Sequence, residues 1–316
     1  MNTTVSTFKQ RRPPLVGRCM MGVMMEVVVR PGVWCLERLG LTERVVRRIT
    51  ARLNKRLAAT DPFRNFVPTS HDVFVATYVK SGTNWMMQIA HQLLSHGAGE
   101  FEHIHCVVPW PDIASAGPMR RYAIPVDDPS VWQASPEHRR VIKTHFDWRL
   151  LPYSADARYI SVIRDPKDVF VSSYYFFIKS MFGTAMTVET WFNLFLSGTF
   201  PLWGSWAETT ASYWAQRHRP NVLIVSFKSM KRDLRGTVRK VAEFLDMQVS
   251  DQVVDAVCEK ASFEYMKRID DKFRVWDMVP WRSSAAMMRR GVQGGSSELL
   301  SPAEQRQMDD SCIAEL

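Results

Sequence analysis

The chain has 316 residues, 46% of them hydrophobic, and a formal charge of +9. That supply of apolar side chains excludes global disorder and allows one large α/β domain with an appendage, or two modest domains. The charge is lopsided: residues 1–56 hold 12 Lys/Arg against 3 Asp/Glu, whereas the remaining 260 residues hold 29 of each sign. Basicity therefore belongs to the N-terminal segment, and a nucleic-acid-binding reading of the whole chain loses its footing. The five cysteines (Cys19, Cys35, Cys106, Cys258 and Cys312) are scattered and form no C-x-x-C pair. They argue against a disulfide framework and for a reducing, cytoplasmic compartment.

Residues 15–36 are rich in Val, Met and Leu, but Arg18, Glu26 and Arg30 interrupt them and Pro31-Gly32 breaks the run. No stretch reaches the roughly 18–20 uninterrupted apolar residues of a spanning helix, and no signal-peptide core with a cleavage site is visible. Next, Leu41, Val45, Val46, Ile49, Leu53 and Leu57 recur at helical spacing, with Arg44, Arg47, Arg48, Arg52, Lys55 and Arg56 between them. Such a basic amphipathic helix packs on the main domain with a solvated basic face, lies on an anionic membrane, or belongs to a targeting peptide. The chain thus divides into a basic amphipathic extension, 1–60, and a main domain, 61–316.

From Asp72 the pattern reads strand (72–77), tight loop (80–84) and apolar helix (from Trp85 to Leu94). Further strands are predicted at 141–144, 158–163 and 221–226, and helices at 166–179, 188–197, 204–217, 230–246 and 249–259. This alternation implies an α/β fold with a central, mostly parallel sheet covered on both faces, its ligands beyond the carboxyl ends of the strands.

Three segments carry chemistry. In Tyr78-Val-Lys-Ser-Gly-Thr-Asn-Trp85, Gly82 lets backbone approach an anion, Lys80 supplies a charge, and Ser81, Thr83 and Asn84 supply donors at a helix N-terminus. An ordinary capped βα turn would look much the same. In Arg140-Val-Ile-Lys-Thr-His145, Lys143 and His145 are two apart on a strand end and point to one face. An imidazole beside an ammonium suits proton abstraction next to developing negative charge, although a lone strand-end histidine is also a common structural residue. In Arg158-Tyr-Ile-Ser-Val-Ile-Arg-Asp-Pro-Lys-Asp-Val-Phe-Val-Ser-Ser173, a strand ends at Arg164, Asp165 and Pro166 start a helix, and Ser172 follows two turns on. A guanidinium fork and a hydroxyl cradle a phosphate.

These segments resemble, in order and spacing, the motifs of the cytosolic-type sulfotransferases that use 3′-phosphoadenosine-5′-phosphosulfate (PAPS). Tyr78 to Trp85 is similar to T-Y-P-K-S-G-T-T-W, with Val79 for Pro and Asn84 for Thr. Lys143-Thr-His145 through Pro152 is similar to K-T-H-x-x-x-x-L-L-P, and Arg164 to Ser172 to R-[ND]-P-K-D-x-x-V-S. Ala261-Ser-Phe263 through Lys267 is similar to T-S-F-x-x-M-K, and Met288-Arg-Arg-Gly291 to R-K-G-x-x-G-D-W, with Gly295-Ser296 where Asp-Trp stands in the family. Phe192-Asn-Leu-Phe-Leu-Ser-Gly198 and Gly204-Ser-Trp206 match a helical insert of the same type. The resemblance covers about residues 70–295, and the family's C-terminal dimer motif is not evident.

The resemblance implies a P-loop-like three-layer fold and in-line sulfuryl transfer without a metal. It makes His145 the base, Lys80 the partner of the leaving oxygen and Lys143 that of the transferring group. It also implies a cofactor site of Lys80, Ser81, Gly82, Thr83, Asn84, Trp85, Arg164, Ser172, Phe227, Phe263, Arg289, Arg290 and Gly291. Trp85 and Phe263 would stack on adenine, where Phe227 replaces a frequent Tyr. A small apolar or aromatic hydroxyl-bearing acceptor is expected near Val108-Pro-Trp110, Phe146 and Tyr175-Phe-Phe177. His103-Ile-His-Cys106 lacks the further ligands of a metal site. A P-loop kinase is disfavoured because no G-x-x-x-x-G-K-[ST] is present. A catalytically silent or membrane-docked nucleotide-binding protein on the same fold is the other alternative.

Overall fold

The computed structural model describes residues 15–58, 61–114, 124–199, 204–274, 286–291 and 294–316. Four strands form one all-parallel sheet in the order β2-β1-β3-β4: β1 Asp72–Ala76, β2 Arg140–Thr144, β3 Arg158–Ile163 and β4 Val222–Ser226. Alternate side chains of β1 serve opposite faces. Val73 and Val75 join Met86, Met87, Leu93 and Val241 in one core. Phe74 and Ala76 join Phe63, Tyr159 and Tyr213 in another. Two covered faces explain why all five β1 residues are buried. At its first position the buried Asp72 is paired with Arg140 of β2 at 2.8 Å.

The principal helices are α1 Leu15–Met24, continued by a π turn Met25–Val29 into α2 Arg30–Arg38; α3 Thr42–Ala58; α4 Thr83–Leu94; and α5 Pro166–Ser173, continued by a π turn Tyr174–Lys179. They are followed by α6 Val188–Leu196, α7 Trp206–Trp214, α8 Phe227–Arg232, α9 Leu234–Phe244, α10 Asp251–Lys260, α11 Phe263–Arg268 and α12 Pro302–Glu315. The α/β reading is borne out, and three local expectations change. The predicted helix 230–246 is two helices, because Asp233 leaves helical geometry and its carboxylate caps α9 through Gly236 N at 2.7 Å. Helix α12 was not anticipated, although Ser301 and Glu304 form a full capping box before it.

The third change concerns residues 15–36. Pro31-Gly32 does not break the run: Pro31 falls at the first turn of α2, and the preceding π turn absorbs the hydrogen bond a mid-helix proline removes. By length and composition alone, Cys19–Arg38 is long and apolar enough to cross a membrane, with a mean hydropathy of 1.5, and 6% of the stretch is buried. Helix α3 lies against α6, where Glu43 accepts from Asn193 (2.7 Å) and Arg47 donates to Thr199 (3.0 Å). Its predicted apolar stripe is only partly covered, since Val46 packs inward while Ile49 and Leu53 stay exposed. Residues 1–14, 59 and 60 of the predicted extension lie outside the described residues.

Candidate active site

The strand order places the loop after β1 between the ends of β2 and β3, where the order of strands in an open parallel sheet reverses and ligands gather. One cavity of about 1200 Å³ occupies this position. Its walls include Lys80, Gly82, Thr83, Asn84, Trp85, Lys143, His145, Arg164, Ser172, Phe227, Phe263, Arg289, Arg290 and Gly291. Segments separated by more than two hundred residues thus meet on one surface. Ser81 is placed differently: it is buried behind the loop and is not part of the cavity wall.

The loop is built for close approach. Lys80 has φ +65° and Gly82 φ +108°, so successive backbone N–H groups turn around the start of α4. A Cβ on Gly82 would meet the Phe227 ring at 2.8 Å. The Lys80 ammonium stands 3.6 Å above the Phe176 ring. Burial, then the nearby Arg164, lowers it to about 7.

At the end of β2, Lys143 and His145 enter the cavity together, as their spacing predicts. His145 Nδ1 lies 2.9 Å from the Thr77 carbonyl, which can only accept; the ring proton therefore sits on Nδ1, and Nε2 keeps the lone pair. Burial, then Lys143, holds the imidazole well below its ordinary value. Lys143 lies 3.4 Å over the Trp110 ring, and burial lowers it to about 7. Trp110 in turn meets His145 edge-on at 5.7 Å.

Arg164, at the end of β3, donates to the Lys80 carbonyl at 3.1 Å and stacks on Phe227 at 4.5 Å. Among the described residues its buried Nε has no hydrogen-bond acceptor. Asp165 and Pro166 cap α5 as expected, the Asp165 carboxylate accepting from Lys167 N at 2.9 Å, and this sets Ser172 on the cavity wall. On the far side, Trp85 donates to the Ala261 carbonyl at 2.8 Å and meets Phe227 edge-on at 5.5 Å.

The strip 286–291 closes the same side. Gly291 has φ +61°, and a Cβ there would meet Phe263 at 2.5 Å. Gly291→Ala should therefore displace the Phe263 ring and weaken binding of an adenine nucleotide about tenfold, with little change in kcat at saturation. Titration calorimetry beside single-turnover rates checks this; unaltered affinity would refute it.

Several neighbouring groups are not singled out by the sequence reading. The buried Asp112 carboxylate accepts from His145 N at 2.7 Å and fixes the strand end that carries the imidazole. Asp270 accepts from Met288 N (2.7 Å) and Asp168 from Gly294 N (3.1 Å), so two carboxylates tie down the strip that lacks the family Asp-Trp. Glu298 joins Arg289 (3.1 Å), Arg290 (2.9 Å) and the Tyr175 hydroxyl (2.7 Å). Val46, Ile49 and Thr50 of α3 also line the cavity, so the N-terminal region contributes to it. In the acceptor half, Trp110, Tyr175, Phe176 and Phe177 are on the wall as expected. Val108 and Phe146 are not: each is buried in a core, Val108 beside Ile104 and Phe146 against Phe63. Met181, Phe182 and Met186 take part instead. His103 and His105 are buried side by side, and among the described residues no group of three or more His, Cys, Asp or Glu is placed to hold a metal ion.

A family model described as the sulfotransferase domain matches residues 70–316, most of the chain and every site segment above except the α3 residues. The chain belongs to the sulfotransferase family. Relatives of this sulfotransferase include human sulfotransferase 1C2, 27% identical over 260 residues (78% of this chain and 83% of the relative). Another is the 3-beta-hydroxysteroid sulfotransferase of Cavia porcellus, 26% identical over 260 residues (77% and 83%). Among solved structures, retinol dehydratase in complex with androsterone and the inactive cofactor PAP aligns with a TM-score of 0.68 and 21% identity, covering 83% of this chain and 85% of that one. A mouse sulfotransferase complexed with PAP aligns with a TM-score of 0.60 and 23% identity, covering 83% and 88%. These likenesses agree with the fold, a parallel sheet flanked by helices.

Proposed function

We propose that the protein transfers a sulfuryl group from PAPS to a hydroxyl or amine of a small, largely apolar acceptor, with His145 as general base. The observation that carries this reading is the single cavity that joins Lys80, Lys143, His145 and Arg164 at one end to Trp110, Phe176, Phe177 and Met186 at the other. The cationic end fits a bisphosphorylated nucleotide: a φ-positive loop at a helix N-terminus offers backbone N–H groups, and the buried Arg164 Nε has no acceptor among the described residues. The PAP complexes of similarly folded proteins support the same nucleotide, and their androsterone and retinol partners support an apolar acceptor.

In this scheme Lys80, the Gly82–Asn84 backbone and Thr83 hold the 5′-phosphosulfate, and Arg164, Ser172, Arg289 and Arg290 hold the 3′-phosphate. Trp85, Phe227 and Phe263 flank adenine. Breaking the S–O bond leaves negative charge on the phosphate oxygen. Lys80 neutralises that charge, and Lys143 steadies the moving sulfuryl oxygens. His145 Nε2 receives the acceptor proton, and the Thr77 carbonyl stabilises the resulting imidazolium through Nδ1–H. The apolar half excludes water, the competing acceptor.

Transfer of labelled sulfate from PAPS to a panel of phenols, sterols and apolar alcohols tests the reading; labelled products are expected, and none from any acceptor would sink it. The pH dependence is specific. His145 titrates below its ordinary range, so the base is already neutral at pH 6.5, and no rise in kcat/KM is expected between pH 6.5 and 7. The cationic forms of Lys80 and Lys143 are lost as pH rises through about 7, so kcat/KM for PAPS falls on the alkaline side. PAPS favours the protonated lysines, so its binding above pH 7 takes up protons, measurable as a buffer-dependent heat. An activity still climbing from pH 7 to 9 would refute the lysine roles.

A further inference from the structure

The continuous helix Leu15–Arg38 presents two faces. One is held to the domain: Arg30 Nε donates to the Met181 carbonyl (2.9 Å), and Glu37 accepts from Thr187 N (2.9 Å) and the Thr190 hydroxyl (2.8 Å). The other carries Val16, Met20, Val23, Val27, Val28 and Trp34, which recur at helical spacing and are each more than half exposed. An apolar stripe of this length needs a cover.

The setting points to lipid. Residues 1–56 carry the chain's whole basic surplus, and Arg38, Arg44, Arg48, Arg52 and Lys55 are exposed just after the stripe, a charge that complements an anionic bilayer. Geometry also decides how the helix lies. Arg30 and Glu37 tie its C-terminal half to the folded domain, which cannot enter hydrocarbon. Among the described residues that leaves fifteen, Leu15–Val29, ahead of the tie, and the sequence before them, Lys9-Gln-Arg-Arg-Pro-Pro14, is too basic to extend an apolar span. At about 1.5 Å per residue they reach about 22 Å, short of the roughly 30 Å hydrocarbon core. The docked helix therefore lies in the interface rather than across it.

The domain segment it grips, 180–190, supplies Met181, Phe182 and Met186 to the apolar end of the cavity, and α3 adds Val46, Ile49 and Thr50. We infer that the outward stripe of Leu15–Arg38 seats the protein on an anionic lipid surface and brings the acceptor end of the cavity to the bilayer, from which a lipid-soluble acceptor is drawn. The acceptor clause rests on the sulfotransferase reading above; the docking clause does not.

The test uses the full chain with vesicles of phosphatidylcholine alone or mixed with phosphatidylserine. Flotation should be strong with phosphatidylserine and fall with added salt. The double variant Val23→Asp/Val27→Asp touches neither the nucleotide site nor the cavity wall. It should lower vesicle partitioning about tenfold or more, since each buried charge costs more than the 1.4 kcal/mol of one decade. Sulfation of a vesicle-embedded sterol should fall in parallel, with sulfation of a water-soluble phenol unchanged. Wild-type protein that stays in the soluble fraction, or a variant that floats equally, overturns the docking. So does a lipid-free dimer by light scattering that the variant makes monomeric, because a second copy would then be the cover. Flotation with no sulfation of any acceptor would instead count against the proposed chemistry and leave the docking standing.

Discussion

Replacing His145 by alanine should lower turnover about 100- to 10,000-fold while adenosine 3′,5′-bisphosphate binds almost as before, the range a positioned general base contributes. The separation follows from the geometry. His145 is a buried wall residue of the shared cavity, its backbone N–H held by Asp112 and its Nδ1–H by the Thr77 carbonyl. Both bonds are made outside Lys80–Asn84 and Arg164, the residues proposed to hold the phosphates. Alanine keeps the Asp112 bond, which is made by backbone, and removes only the ring. Glutamine probes the same point, because it can fill the space without taking a proton, and it should be as inactive as alanine. Isothermal titration of the bisphosphate with each variant, set against turnover at saturating PAPS, reads both quantities. Turnover within a few-fold of wild type in either variant would remove His145 from the mechanism; a proportional loss of nucleotide binding would make it a structural residue.

The second large effect is expected at Arg164. Alanine there should weaken bisphosphate binding roughly 30- to 1,000-fold, corresponding to about 2–4 kcal/mol for charge-assisted hydrogen bonds lost in a buried site. Turnover at saturating PAPS should change much less, because Arg164 lies at the end of β3 and the base at the end of β2. Arg164 also bonds the Lys80 carbonyl and stacks on Phe227, so part of the effect is looser backbone around the phosphosulfate loop. Arg164→Lys separates the two contributions: an ammonium restores charge but not the fork, and should recover little affinity. A melting temperature unchanged in the absence of nucleotide, together with weakened binding, assigns the loss to the anion; affinity within threefold of wild type in Arg164→Ala would refute the assignment.

Much of this site is legible in the amino-acid sequence, for local reasons. A strand has period two, so Lys143 and His145 had to share a face wherever the sheet lay. Asp165-Pro166 had to start a helix, and that fixed the distance from Arg164 to Ser172. Gly82 after a buried strand marked a place where backbone turns sharply. What could not be read were contacts that local pattern does not encode. Asp112 meets His145 across 33 positions, and Asp168 meets Gly294 across 126. Asp112 does not differ in sequence from an ordinary turn residue, and Asp168, although inside the Arg164–Ser172 motif, gives no sign there of its partner. Ser81 shows the reverse: a hydroxyl expected to donate to an anion is buried away from the cavity wall, between the left-handed residues Lys80 and Gly82.

The N-terminal region divides in the same way. Sequence established its charge and its apolar content, since both are sums over residues. It misjudged Pro31, because whether a proline breaks a helix depends on how the preceding turn disposes of one carbonyl, here by a π turn. Alone, the sequence determined the strand-and-helix alphabet, the sharp glycine-containing loop after β1 and the paired Lys and His, all set by backbone sterics and side-chain periodicity within a few residues. Only the tertiary structure decided that loop, strand ends and closing strip share one cavity, that carboxylates from distant elements hold it, and that an apolar helix lies beside its apolar end. Those outcomes depend on which surfaces exclude water together, and that is a property of the packed whole.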